Sequence, residues 1–84
     1  SQFSIYPNPA KNEATFNFHL SEGSQVSLNI LDMNGRMITQ LVDEYYQQGN
    51  YSFKYNVRDL SAGIYFATFI TGNKSSLQRF VITR

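Results

Sequence analysis

The side chains that could act as acids, bases or nucleophiles are few in this sequence and lie far apart. The single histidine, His19, alternates with Phe18 and Leu20, so it falls on the polar phase of a strand-like segment and is expected to face solvent. No serine lies in the strand-to-helix turn that presents a hydrolase nucleophile. The acidic residues are scattered, and a chain of 84 residues has little room for the cleft that a catalytic carboxylate pair requires. The sequence therefore predicts no catalytic site.

Metal binding has one weak candidate, the segment DMNG at residues 32–35. A carboxylate and an amide before a glycine are typical of the start of a calcium loop, but the third ligand and the later Glu of such a loop are missing. A tight turn explains the same residues, because Asp32 can accept a backbone N–H and Gly35 tolerates a positive φ. We therefore predict a turn and no cofactor, with a calcium ion in this loop as the alternative. The chain contains no cysteine, which excludes disulfides and thiolate zinc sites.

Aromatic side chains, 15% of the residues, suggest a carbohydrate-binding surface as a further kind of site. Tyr45, Tyr46 and Tyr51 could form a platform on which sugar rings stack. Most of the other aromatic residues fall on the inward phase of strands, where burial in a core already accounts for them. A carbohydrate-binding module of a secreted enzyme is therefore an alternative function.

Charge and chain length limit the partners. Seven Lys and Arg against six Asp and Glu leave a net charge of +1, which is too small for an electrostatic nucleic-acid binder. The longest strongly apolar run, residues 64–70, is far shorter than the roughly 20 residues of a membrane-spanning helix. The first residues show no signal-peptide pattern and no initiator Met. We expect one domain over residues 1–84, cut from a longer polypeptide for which it performs a task.

Alternation of apolar and polar residues is the dominant pattern, and this period of two predicts strands with one solvent-facing side. Residues 64–71 are apolar on both faces, which predicts a central strand covered on both sides. No stretch keeps a helical period for ten residues, so a single helical turn near Leu60 is the most that is expected, and residues 45–49 are predicted to form a loop. Seven strands result, at residues 3–6, 13–20, 26–30, 37–42, 51–58, 64–71 and 77–83.

This arrangement predicts an all-β fold, a small seven-stranded antiparallel β-sandwich that is immunoglobulin- or fibronectin-III-like, with a small barrel as the alternative. Two registers compete at the turn over residues 32–35. A two-residue Asn-Gly turn pairs Ile30 with Thr39, whereas a three-residue loop with a glycine bulge pairs Ile30 with Ile38. The second register is preferred because it places an apolar residue opposite another.

Five segments occur in an order and spacing that resemble a known family. YPNPA opens the chain at residues 6–10, VSLNILDMNGR follows at 26–36, then come a lone glycine, LSAGIY at 60–65 and RFVI at 79–82. Together they resemble the type A C-terminal sorting domain of the type IX (Por) secretion system, over about residues 5–84. The motif residues are Pro7, Asn8, Pro9, Asp32, Gly35, Gly49, Leu60, Gly63, Ile64 and Tyr65.

Each motif also has a structural explanation. The two prolines stiffen the start of the domain, and the turn residues fix a hairpin. Gly63 begins the most apolar strand, where a side chain is expected to crowd the turn. The closing motif carries Arg79 where the family commonly has Lys, and the chain ends in Arg84 where Lys is frequent; both substitutions keep the charge.

The resemblance implies a function as a non-catalytic secretion signal. Family members are C-terminal modules of exported proteins of Gram-negative bacteria, linked to an N-terminal passenger. The implied partners are the outer-membrane translocon, a shuttle protein and a sortase that typically removes the module. The implied location is the periplasm in transit, then the cell surface or the medium. We expect Arg79, Val81 and Arg84 to contact the translocon, by strand addition or by capture of the tail. An inert fibronectin-like spacer or adhesion domain is the remaining alternative.

Overall fold

The computed structural model describes residues 2–84, and within them every regular element is a β-strand. The seven strands are β1 (Gln2–Tyr6), β2 (Glu13–Leu20), β3 (Ser24–Asp32), β4 (Met37–Tyr46), β5 (Gly49–Asn56), β6 (Gly63–Thr71) and β7 (Lys74–Ile82). The alternating segments of the sequence all became strands, because each gives one apolar face to a shared core.

The strands form two sheets that pack face to face. One has three strands in the order β1-β2-β5, and the other has four in the order β4-β3-β6-β7, with antiparallel pairing between all neighbours. Such a sandwich is immunoglobulin-like, with the fourth strand beside the third. The predicted β-sandwich is therefore confirmed, and the alternative of a barrel is wrong.

Aromatic rings join the two sheets across the core. Phe3 of the three-stranded sheet stacks on Phe69 of the other with ring centroids 5.0 Å apart. Phe16 meets Phe80 edge to face at 5.9 Å. Aromatic pairs in these offset or edge-on arrangements add to the free energy gained by burying their area. The core therefore holds the fold without covalent cross-links.

The hairpin between β3 and β4 has the predicted three-residue loop but not the predicted pairing of Ile30. The Gly35 N–H donates to the Asp32 carbonyl at 3.0 Å, and Gly35 has a φ of 85°, a value that favours glycine. Beyond the turn, β4 has two register shifts, so Ile30 lies opposite Thr39 and not Ile38. Such bulges insert an unpaired residue into one strand and increase its twist.

Near Leu60 the described chain has no helix, only a turn in which the Leu60 N–H donates to the Val57 carbonyl at 3.1 Å, and this lies within the single turn that was expected there. Two other predictions need correction. β4 runs on to Tyr46, so Tyr45 and Tyr46 belong to a strand and not to a loop. The strand β6 is central in its sheet but is fully buried on one face only, since its outward side chains are half-buried or exposed. In the described part of the chain, no helix is long and apolar enough to cross a membrane.

Candidate recognition surface

The motif around Asn8 ties the start of the chain to its last strand. Asn8 lies beside the open edge of β7, where its Oδ1 accepts the Val81 N–H at 3.0 Å and its Nδ2 donates to the Arg79 carbonyl at 3.4 Å. The Ala10 N–H donates to the Val81 carbonyl, and the Ala10 carbonyl accepts the Thr83 N–H, both at 2.8 Å. We call residues 7–10 the strap. Pro7 and Pro9 lie on either side of Asn8 and follow cis peptide bonds.

The strap occupies half of an edge that would otherwise be free to pair with another chain. Backbone groups of alternate residues on an edge strand point away from the sheet. On β7 these groups belong to Arg79 and Val81 near the C-terminal end, and the strap bonds the Arg79 carbonyl and both the N–H and the carbonyl of Val81. Only the N-terminal half of this edge, around Ser75 and Leu77, is left for an added strand. Strand addition along the whole of β7 would have to displace the strap.

The side chain of Arg84 is bound within the module. Its guanidinium donates to the backbone carbonyls of Lys11, Val57, Arg58 and Leu60, with 3.1 Å to Arg58. Five N–H donors in a rigid fork suit Arg to such a cluster of acceptors. We call this arrangement the terminal clamp. It joins the last residue to the segment before β2 and to the turn between β5 and β6.

The LSAGIY motif forms a tyrosine corner at the entry to β6. The Tyr65 hydroxyl donates to the Ser61 carbonyl at 2.7 Å, four residues upstream, as in other immunoglobulin-like sandwiches. Gly63 has a φ of 153°, and a Cβ built there meets nothing within 4 Å. Backbone conformation therefore explains this glycine, and the expected crowding of the turn is wrong. Ile64 points to the opposite face of β6 from Tyr65.

Asp32 holds the β3–β4 turn by its side chain. One carboxylate oxygen accepts the N–H groups of Asn34 and Arg36, both at 2.9 Å, and Arg36 Nε lies 3.5 Å from the other oxygen. The hydrogen bond from the Arg36 N–H has the largest effect on the Asp32 carboxyl. Together with the bond from the Asn34 N–H, it holds the pKa of this carboxyl below its ordinary value of 3.8. The carboxylate thus acts as a turn-forming acceptor.

Gly49, the remaining motif glycine, begins β5 and pairs with Leu20.

Arg79 and Val81 lie on the outer face of the four-stranded sheet. Arg79 is paired with Phe66, and Val81 with Ile64; paired residues share a face of a sheet. Phe66 is in turn paired with Leu31 of β3, so the row of outward side chains that begins at Arg79 continues to Leu31. We call this surface the outer patch. Its members are Leu31, Met37, Ile64, Phe66, Leu77 and Val81, with Arg79 among them.

The outer patch is accessible and has a polar border. Met37 is 59% exposed and Leu77 65% exposed, and the other apolar members are half-buried. Beyond the patch, Asn29 Nδ2 donates to Ser27 Oγ at 3.0 Å and to Thr68 Oγ1 at 3.1 Å. This hydrogen-bonded group separates the apolar end of the face from the polar end near Asp43.

Of the three terminal residues singled out in the sequence, the structure brings two together. Arg79 and Val81 share the outer patch, whereas the side chain of Arg84 lies in the terminal clamp. Sequence reasoning missed Leu31, Met37, Phe66 and Leu77. Consecutive apolar residues within strands, such as Ile30-Leu31, were the signal that could have identified an apolar outer face, because only one of two neighbours can point into the core.

The tyrosines considered for sugar stacking do not form a platform. Tyr45 is 62% exposed, but Tyr46 points inward, where burial and a 2.7 Å hydrogen bond to Glu44 raise the pKa of Tyr46 to about 12. Tyr46 and Tyr51 meet edge to face with ring centroids 4.8 Å apart.

His19 lies on the outer face of the other sheet, half-buried, with Nδ1 2.8 Å from Asn50 Oδ1. A groove of about 710 Å³ with mixed polar and aromatic lining runs beside this pair, and its residues Phe3 and Phe18 pack against Phe69 in the core.

Comparisons with known proteins agree with the fold and the motifs. The model of the secretion system C-terminal sorting domain, the Por secretion tail, matches residues 4–83, and the chain belongs to this family. Among solved structures, the chain is similar to PorZ of Porphyromonas gingivalis, with 24% identity and a TM-score of 0.71. The match covers 98% of this chain and 11% of PorZ, which is described as an essential surface component of the type IX secretion system. A comparison with curated proteins gave no match.

Proposed function

We propose that this domain is a non-catalytic C-terminal export signal of the type IX secretion system, of type A, within residues 1–84 of a longer protein. The proposed partners are an N-terminal passenger, the outer-membrane translocon, a shuttle protein and a surface sortase that removes the module. The passenger would cross the periplasm and reach the cell surface or the medium. The observation that carries this proposal is the family match over residues 4–83, nearly the whole chain.

The geometry supports a role as a recognised object rather than as a catalyst. The motif residues bond to one another's backbone: Asn8 to β7, Asp32 to its own turn, and Tyr65 to Ser61. Such contacts fix the shape of a domain. Arg79 and Val81 are proposed to contact the translocon directly, because they lie on an exposed face. Arg84 is proposed to act through the fold, since its guanidinium is bound by backbone carbonyls.

A passenger fusion tests the proposal. A fluorescent passenger with an ordinary N-terminal export signal would be fused before Ser1 and expressed in a Gram-negative host that has a type IX system. We expect the passenger on the surface or in the medium, and its retention in the periplasm when the module is deleted or when the host lacks the translocon. Export that is independent of the module would contradict the proposal and favour an inert spacer.

A further inference from the structure

We propose that the outer patch is the surface through which the export machinery recognises this module, and that it binds a protein surface whose apolar side chains surround a carboxylate. This inference rests on the proposed export function and names the contact that the function requires. It assigns recognition to a face of the four-stranded sheet and not to its edge.

The apolar members of the patch have no role in the core. On β6, Tyr65, Ala67 and Phe69 point inward and are buried, so Ile64 and Phe66 must point outward. Val81 beside Ile64 and Leu31 beside Phe66 are apolar as well, at positions where a solvated antiparallel sheet normally carries polar residues. A contiguous exposed apolar surface with a polar border is typical of a protein-binding site. Leu77, in the half of β7 that the strap leaves uncovered, is the most exposed apolar member of the patch.

The single charge of the patch defines the chemistry of the partner. Arg79 projects from β7 beside Phe66 and is exposed. Within residues 2–84 the ion pair formed is Arg36 with Asp32, so Arg79 has no acidic partner in the described chain. When a partner covers the apolar side chains around Arg79, the Arg79 guanidinium loses its bound water. A carboxylate on the partner is then required to compensate for this loss of hydration. A partner with an Asp or Glu among apolar residues would cover the apolar side chains and also pair with Arg79. The charge pair would fix the orientation of the partner.

The edges of the same sheet are poorly suited to strand addition. On β4, the register shifts interrupt the ladder of backbone groups, and bulges of this kind protect edge strands. On β7, the strap bonds the Arg79 carbonyl and both outward backbone groups of Val81. Apart from the N-terminal half of the β7 edge, around Ser75 and Leu77, the face between these edges is the surface that the four-stranded sheet offers to a partner.

Substitutions at exposed patch positions test the inference in the passenger fusion. We expect Arg79→Glu to lower the exported fraction about tenfold or more, since like charges at an interface are strongly unfavourable. Leu77→Ser and Met37→Ser should lower it as well, and Arg79→Lys should retain export because it keeps the charge. Lys54→Glu is the matched control, because it reverses an exposed charge on the other sheet and should leave export unchanged.

Folding must be separated from recognition. Thermal unfolding of the purified module should differ from wild type by less than about 4 °C for these exposed substitutions. Arg84→Ala should instead lower the melting temperature and the exported fraction together, and growth at lower temperature should recover its export but not that of Arg79→Glu.

Three outcomes would overturn the inference or the function beneath it. If the wild-type fusion is exported and Arg79→Glu, Leu77→Ser and Met37→Ser are exported equally well, the patch is not the recognised surface. If sedimentation shows a dimer that these variants abolish while export is unchanged, the patch binds a second copy of the module. If the wild-type fusion itself is not exported, the proposed export function is wrong. The assignment of the patch, which rests on that function, is then wrong with it.

Discussion

At the scale of single residues, Asp32 shows how one carboxylate can specify a turn and make stability depend on pH. Its pKa is lowered in the folded state, so the ionised form binds the turn and favours folding. This stabilisation is present above the ordinary value of 3.8 and is lost as pH falls through the lower folded-state value. We expect the melting temperature of Asp32→Asn to lie below that of wild type at neutral pH.

The difference between these two melting temperatures should shrink in strongly acidic solution, where the side chain at position 32 is uncharged in both proteins. Asp59→Asn provides a matched control, since Asp59 is exposed and accepts no side-chain hydrogen bond within the described residues. A difference that stays constant across the acid range would show that the charge of Asp32 does not stabilise the turn.

Tyr65 provides a second test at the residue scale. Tyr65→Phe removes the hydroxyl that bonds the Ser61 carbonyl while it leaves the ring against Phe80. We expect the free energy of unfolding to fall by about 1 kcal/mol, the net value of one hydrogen bond, as measured by urea denaturation. Tyr45→Phe is the control, because Tyr45 is exposed and should change nothing. Equal values for the two variants would refute the tyrosine corner as a stabilising contact.

At the scale of elements, the strap and β7 act as one unit. Asn8→Ala would free the Val81 N–H and remove one of two side-chain donors to the Arg79 carbonyl, and we expect faster hydrogen exchange at Val81 and a loss of about 1 kcal/mol of stability. Asn12→Ala is the matched control, since only the backbone carbonyl of Asn12 is bonded, to the Val57 N–H. Unchanged exchange at Val81 in Asn8→Ala would show that backbone contacts alone hold the edge.

The elements themselves were largely predictable, and the exceptions have physical causes. Strands such as β2 and β5 alternate cleanly, because each has one buried face. The register of β4 could not be predicted, because its bulges depend on how the whole strand fits over the core. The position of Phe66 on the solvent-facing side of its sheet was missed for a related reason. Apolar residues on both faces of a strand can be covered by another layer or by a separate partner, and local sequence does not distinguish the two.

At the scale of the whole molecule, the contacts that join distant parts of the chain were the least predictable. Asn8 and Val81 are 73 residues apart, and so are Lys11 and Arg84. The acceptors of the terminal clamp are backbone carbonyls, which every residue carries, so no residue type marks them in the sequence. The sequence motif located Asn8 and Arg84, but only the folded sheet order explains what each of them bonds.

The position of β7 has a consequence for protein synthesis. β7 is translated after the other six strands of the module, and it contributes Leu77, Arg79 and Val81 to the outer patch. A polypeptide that terminates early would leave the free edge of β6 unpaired and would display an incomplete patch. On the proposed recognition through the outer patch, only molecules that have been synthesised through β7 would be exported.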